Sequence, residues 1–143
     1  AMAAGIPMRH IDCNKTVPMF RSNIQTVRAG SFGGGMVVSM RPVKPTDIDQ
    51  VRMISAEFPL AHGAPVHVGD PDAIGIADIG APDYGEAVPF EGDEIPVFWA
   101  CGVTPQSAAL SARLPLFISH RPGAMLITDV DERANPPVLD LAI

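Results

Sequence analysis

Residues 61–71 read AHGAPVHVGDP and bring His62, His67 and Asp70 within one short stretch. Imidazole titrates near neutral pH, so either histidine is suited to taking or giving a proton. A neighbouring carboxylate such as Asp70 can orient the ring, or act as an acid itself if burial raises its pKa. These residues, with His120, are also donor types found around transition metals, but their spacing matches no metal pattern. Neither a metal nor a cofactor is therefore expected. A purely structural reading stands beside the chemical one: the histidines bond loop carbonyls and Asp70 closes an Asx turn.

Other residues offer complementary chemistry. Arg21, next to Asn23 in VPMFRSN, and Arg41 in SMRP each bring a guanidinium near a predicted strand. Arginine's planar fork suits bidentate carboxylate recognition, so both are candidate substrate clamps, with Asn23 grouped beside Arg21; either is equally suited to a structural salt bridge. Cys101 precedes Gly102, Thr104 and Pro105. A thiol at a helix N-terminus feels the helix dipole, which favours the thiolate, whereas free cysteines commonly just pack. The backbone N–H groups over 102–107 could cradle a carboxylate without any help from sulfur. Substrate contacts are accordingly expected from Arg21, Asn23, Arg41, Cys101, Gly102, Thr104 and His120, and catalysis from His67, His62 and Asp70.

The elements that must position these groups are short, since 15 Pro and 13 Gly punctuate the chain. MVVSMRP (36–42) reads as a buried strand stopped by Pro42. TDIDQVRMISAEF (46–58) reads as an amphipathic helix, with Thr46 as N-cap and Ile48, Val51, Ile54, Ser55 and Phe58 on one face. IPVFWA (95–100) is a nearly continuous apolar run, followed by Thr104 as N-cap and Pro105 at the first helical position. PVHV is a short strand ahead of a GDP turn. LFISH and AMLITDV are predicted strands around an RPG turn. The acidic, Gly- and Pro-rich stretch 69–94 reads as a surface excursion. This grammar of strands and helices predicts an α/β fold, a mixed sheet with flanking helices.

Composition narrows the function classes. At 143 residues the chain suits one domain. A net charge of −6 with no basic run argues against nucleic acid, and no apolar run approaches a membrane span. Two distant cysteines, Cys13 and Cys101, fit a reduced compartment, and a cytoplasmic location is the expectation. AMAAGIP reads as the last turn of a helix whose earlier turns lie outside the sequence, with Gly5 as its αL cap.

The blocks VPMFRSNI, MVVSMRPV, AHGAPVHVGDP, IGIADI with PDYG, PVFWACGVTPQ and ISHRPGAMLITD, spread over residues 5–130, resemble the D-glutamate cyclase family, whose bacterial members carry a hydro-lyase label. Family chains are about twice as long, and their N-terminal part carries a Cys-Ser-rich motif absent here. The chain therefore resembles the C-terminal portion of a larger two-lobed α/β protein, with the missing N-terminal portion as its partner and self-association left open. The resemblance implies dehydration of D-glutamate to 5-oxo-D-proline; it brings no agreed catalytic set. A non-catalytic module binding an amino acid or small carboxylate, and a lyase acting on a different hydroxy acid, are the alternatives.

Overall fold

The computed structural model describes residues 4–125, 127 and 129–131. In chain order it contains α1 (Arg9–Asp12), β1 (Met19–Gln25), β2 (Gly35–Val43), α2 (Ile48–Ala56), β3 (His67–Val68), β4 (Ile95–Ala100) and α3 (Thr104–Ser111). The strands form one sheet in the order β1-β2-β4-β3. The α/β class matches the sequence reading. Every pairing among the described strands is antiparallel, however, where a mixed sheet was expected. The strand-then-helix grammar does not distinguish the two cases here, because α2 and the loops after it return the chain to β4 from its far side.

Register sorts the side chains onto two faces. Ser39 lies opposite both Met19 and Trp99, and Arg41 lies opposite Val97, so these residues share one face. Phe20 with Val38, and Phe98 with Met40 and His67, take the other. Pro42 does not stop β2, as it was expected to do; it sits opposite Pro96. The bond from Cys101 N–H to the Val37 carbonyl sets the alternation, which makes 42 and 96 a pair that exchanges no hydrogen bonds. Both proline nitrogens then point away from each other, and neither costs the β2–β4 ladder a bond.

The two faces are covered differently. Phe20, Val38, Met40 and Phe98 pack against Ile74, Ile76 and Val88, all buried. The acidic stretch 69–94 is thus a lid over a core and not a surface excursion: its carboxylates other than that of Glu94, which is buried against Arg9, lie toward solvent while three apolar side chains point inward. It is fixed by an antiparallel bridge between Met19 and Tyr84. At Gly85, φ is +75° and a Cβ would stand 2.1 Å from the Val17 carbonyl oxygen, so only glycine lets the backbones approach this closely.

On the opposite face, α2 lays Val51, Ile48 and Ile54 over Val43, Val97 and Trp99, which is the helix face expected from its periodicity. Thr46 does not cap it. Pro45–Asp47 forms a preceding 3₁₀ turn, and the Thr46 hydroxyl donates to Asp47 Oδ1 at 3.0 Å. At the other end Val103 packs with Met19 and Val37. Thr104 is likewise not an N-cap but the first residue of α3. Its hydroxyl donates to the Val37 carbonyl at 3.2 Å and accepts the Val37 N–H at 3.1 Å, which ties the helix to β2. Residues 116–120, expected as a strand, join no strand among the described residues, and 121–123 form the expected turn, closed by Ala124 N–H on the Arg121 carbonyl. The strand expected over 124–130 lies partly outside the described residues, as does the beginning of AMAAGIP.

Candidate active site

Between the two apolar clusters on the α2 face, the middle of β2 is polar: Ser39 and Arg41 occupy alternate positions of a strand whose other inward residues there are Val37 and Val43. The space above them is a cavity of about 510 Å³, within the range of small-ligand sites, and its walls include His10, His62, Ser39, Arg41, Cys101 and Gly102. A second cavity of about 390 Å³ lies on the other side of Arg41 and His62, which line both.

Arg41 dominates the electrostatics. Its guanidinium lies over the Trp99 ring, 4.9 Å from the centroid, and Nη1 donates a long bond of 3.3 Å to Ser39 Oγ. Its Nε is buried with no hydrogen-bond partner, and no carboxylate pairs with it among the described residues. Burial pushes its pKa down to about 10, so it is still a cation at neutral pH but a poorly solvated one. A buried cation that faces a cavity, with no counter-ion among the described residues, is suited to receiving an anion.

His62 is presented by the irregular loop that follows α2. The Phe58 carbonyl accepts the N–H groups of Ala61, His62 and Gly63, and Gly63 adopts φ of +65° to turn the chain out again. The ring Nδ1 lies 2.7 Å from the Ala100 carbonyl oxygen. A carbonyl can only accept, so Nδ1 carries the proton and, in the neutral ring, Nε2 keeps its lone pair. Burial lowers the His62 pKa, Arg41 lowers it further, and the Ala100 bond opposes them. The neutral base is therefore the form at pH 7. His10, on α1, is lowered in the same way, by burial and then by Arg41. Its helix is anchored from the acidic lid, where Glu94 and Glu91 hold Arg9 at 2.6 and 3.0 Å.

Cys101 lines the cavity in the strand-to-helix turn, as expected. Burial raises its pKa, outweighing a bond from the Val103 N–H and the proximity of Arg41, so the thiol stays protonated. The turn offers fewer free amides than its sequence suggests. Thr104 N–H bonds the Cys101 carbonyl, Gln106 and Ser107 both bond that of Val103, and Pro105 has none. Gly102, exposed on the cavity wall, is the residue of this turn whose N–H makes no bond among the described residues. His120 joins the wall, its carbonyl accepting Gln106 Nε2 at 2.8 Å.

The other expected site residues are placed elsewhere. His67 is opposite Phe98, on the lid face, with Nε2 2.7 Å from the Asp70 carbonyl oxygen and its ring tilted against Phe98. Asp70 Oδ1 accepts Asp72 N–H at 3.0 Å in an Asx turn. Arg21 is exposed on the edge strand, bonded to the Tyr84 hydroxyl at 3.0 Å and 3.9 Å from Asp83, and Asn23 packs at Gly75. The sequence reading missed His10, because a lone histidine in a four-residue helix has no pattern around it, and Trp99, whose role depends on cross-strand register. Among the described residues no three His, Cys, Asp or Glu side chains are grouped to hold a metal ion.

Residues 1–129 match the D-glutamate cyclase family. The chain belongs to the D-glutamate cyclase family. It is 58% identical over 135 residues to a protein of Jannaschia sp. named "Putative hydro-lyase", covering 94% of this chain and 51% of the relative. A Verminephrobacter eiseniae protein with the same name is 59% identical over 133 residues, 93% of this chain and 48% of its own. A third, from Ruegeria pomeroyi, is 58% identical over 141 residues, 99% and 51% respectively. The chain thus spans about half the length of the curated relatives it matches. No helix among the described residues is long and apolar enough to cross a membrane.

Proposed function

We propose that this chain supplies the carboxylate anchor and the proton relay of a hydro-lyase that cyclises an acidic amino acid, D-glutamate to 5-oxo-D-proline being the leading reaction. The observation that carries this reading is Arg41, a buried guanidinium with no carboxylate partner among the described residues, set beside a histidine whose Nδ1 bonds the Ala100 carbonyl and so leaves the lone pair on Nε2. Arg41 holds the α-carboxylate. His62 Nε2 takes a proton from the substrate ammonium, and the freed amine attacks the γ-carboxyl carbon. A C–N bond forms and a C–O bond breaks. Both protons that nitrogen loses are gained by the departing oxygen, which leaves as water, so the site must relay protons and need not supply any. His10 stands on the same cavity as a second relay group, and the Gly102 N–H is the donor for the tetrahedral oxyanion.

Family membership and the hydro-lyase names of the relatives support the reaction class, and the geometry supports the roles. The test is 5-oxoproline formation by the full-length protein from D- and L-glutamate. Arg41→Lys should raise KM, since a point charge cannot reproduce the fork, and His62→Gln should chiefly lower kcat. Absence of 5-oxoproline from both enantiomers would refute the substrate. Turnover unaffected by either substitution would refute the placement.

A further inference from the structure

The cavity on the far side of Arg41 has more aliphatic and aromatic side chains in its walls than the first. Its walls are Val43, Val51, Ile54, Phe58 and Trp99, with Arg41 and His62 shared between the two. A molecule as small as glutamate needs one such space, because a single cavity of roughly 300–1,000 Å³ already accommodates drug-sized ligands. The second cavity therefore exceeds what the cyclisation substrate uses. It is not a closed packing defect either: it contains one end of a guanidinium that stacks on the Trp99 ring and pairs with no carboxylate among the described residues.

We propose that the 390 Å³ cavity is a binding compartment for amphipathic monocarboxylates, whose carboxylate sits on Arg41 and whose hydrocarbon body lies between α2 and Trp99. The inference rests on the reading of Arg41 as the carboxylate anchor, and it widens the ligand class from small dicarboxylates to acids with an aliphatic or aromatic tail. Charge selects the head, because the positive group is the guanidinium. Ser55 accepts the Trp99 Nε1–H at 3.2 Å and keeps its own O–H as a neutral donor on the same wall. Area selects the tail, because each methylene buried against the Ile54 and Val51 wall leaves water. Both compartments draw on one guanidinium, so occupancy of the apolar one excludes an α-carboxylate from the polar one.

The test is a calorimetric binding series on the full-length protein with acetate, butyrate, hexanoate and octanoate. Affinity should rise about threefold to fourfold per added methylene until the cavity is filled. Ile54→Asn should flatten the series while leaving acetate binding unchanged, Arg41→Gln should weaken every member, and octanoate should compete with D-glutamate. Equal affinity for acetate and octanoate in the wild type would overturn the proposal, whatever the fate of the variants. So would octanoate binding that survives Arg41→Gln. The binding series needs no turnover: failure to form 5-oxoproline refutes the cyclase reading alone, and a flat series in an active enzyme refutes the compartment alone.

Discussion

Arg41 and Trp99 sit on adjacent strands one register step apart, with the guanidinium 4.9 Å from the ring centroid and the indole Nε1–H held by Ser55 of α2 at 3.2 Å. The helix thus fixes the ring, the ring supports the cation, and the cation is left facing open space. Such an arrangement is costly for the empty protein. Burial has pulled Arg41 down to about 10, and a base lowered in this way destabilises the fold wherever it is protonated, which includes all of the neutral range.

Arg41→Met should therefore stabilise the protein by about 1–3 kcal/mol while removing carboxylate binding. Thermal unfolding checks the first part, with Tm expected to rise by roughly 2–8 °C. A fall in Tm would mean that the cation is needed to hold the sheet face together.

The two cavity histidines should titrate below the ordinary histidine value. In each the folded pKa is depressed, so the unfolded chain binds protons first, and stability is lost as pH falls below about 6.5 toward the folded values. NMR titration of the imidazole resonances should show His62 and His10 lowered, and Arg41→Met should raise both. Values for His62 that do not move in that variant would contradict the assigned coupling. The acid limb of kcat/KM should follow the His62 titration.

Cys13 is exposed and Cys101 is half-buried with its thiol pKa raised. Iodoacetamide at pH 7.5 should therefore label Cys13 first, with Cys101 slower by about tenfold or more. Cys101→Ser should keep most of the activity. A trapped thioester at Cys101, or complete loss of turnover in a folded Cys101→Ser protein, would make it a nucleophile instead.

The acidic stretch carries core residues, so Ile76→Ala should cost about 2–5 kcal/mol in chemical denaturation, as for a buried helix or strand position. Gly85→Ala should cost more than about 1 kcal/mol, because its φ of +75° and the Val17 carbonyl leave no room for a methyl group. Values near zero for both would mean that the stretch is not packed as described.

Much of the scaffold was legible where periodicity is strong. The β-branched run 36–42 and the apolar run 95–100 are strands, and the amphipathic face of 46–58 is that of the shorter helix Ile48–Ala56. Arg41, His62, Cys101, Gly102 and His120 proved to be neighbours, although nothing in the sequence says so. That depends on register: a one-residue slip of β2 against β4 would send Arg41 to the lid face, and no local pattern encodes the choice. Register places His67 on the lid face opposite Phe98, while the loop after α2 brings His62, five residues earlier, to the Arg41 side. The lid was misread because its three inward residues, Ile74, Ile76 and Val88, are too sparse among acidic and Gly-Pro neighbours to show a period.

The unequal covering of the two sheet faces also separates what the protein can change from what it cannot. One face is sealed by a lid whose fit depends on volume, and substitutions there are paid in folding yield. The other face has open ground around Arg41, bordered by exposed positions such as Ala61 and Met125. Variants at those two positions should express and fold like the parent, so a library confined to them would reshape the cavities with little attrition, whereas Ser39 and Ile54 are packed and would not be spared.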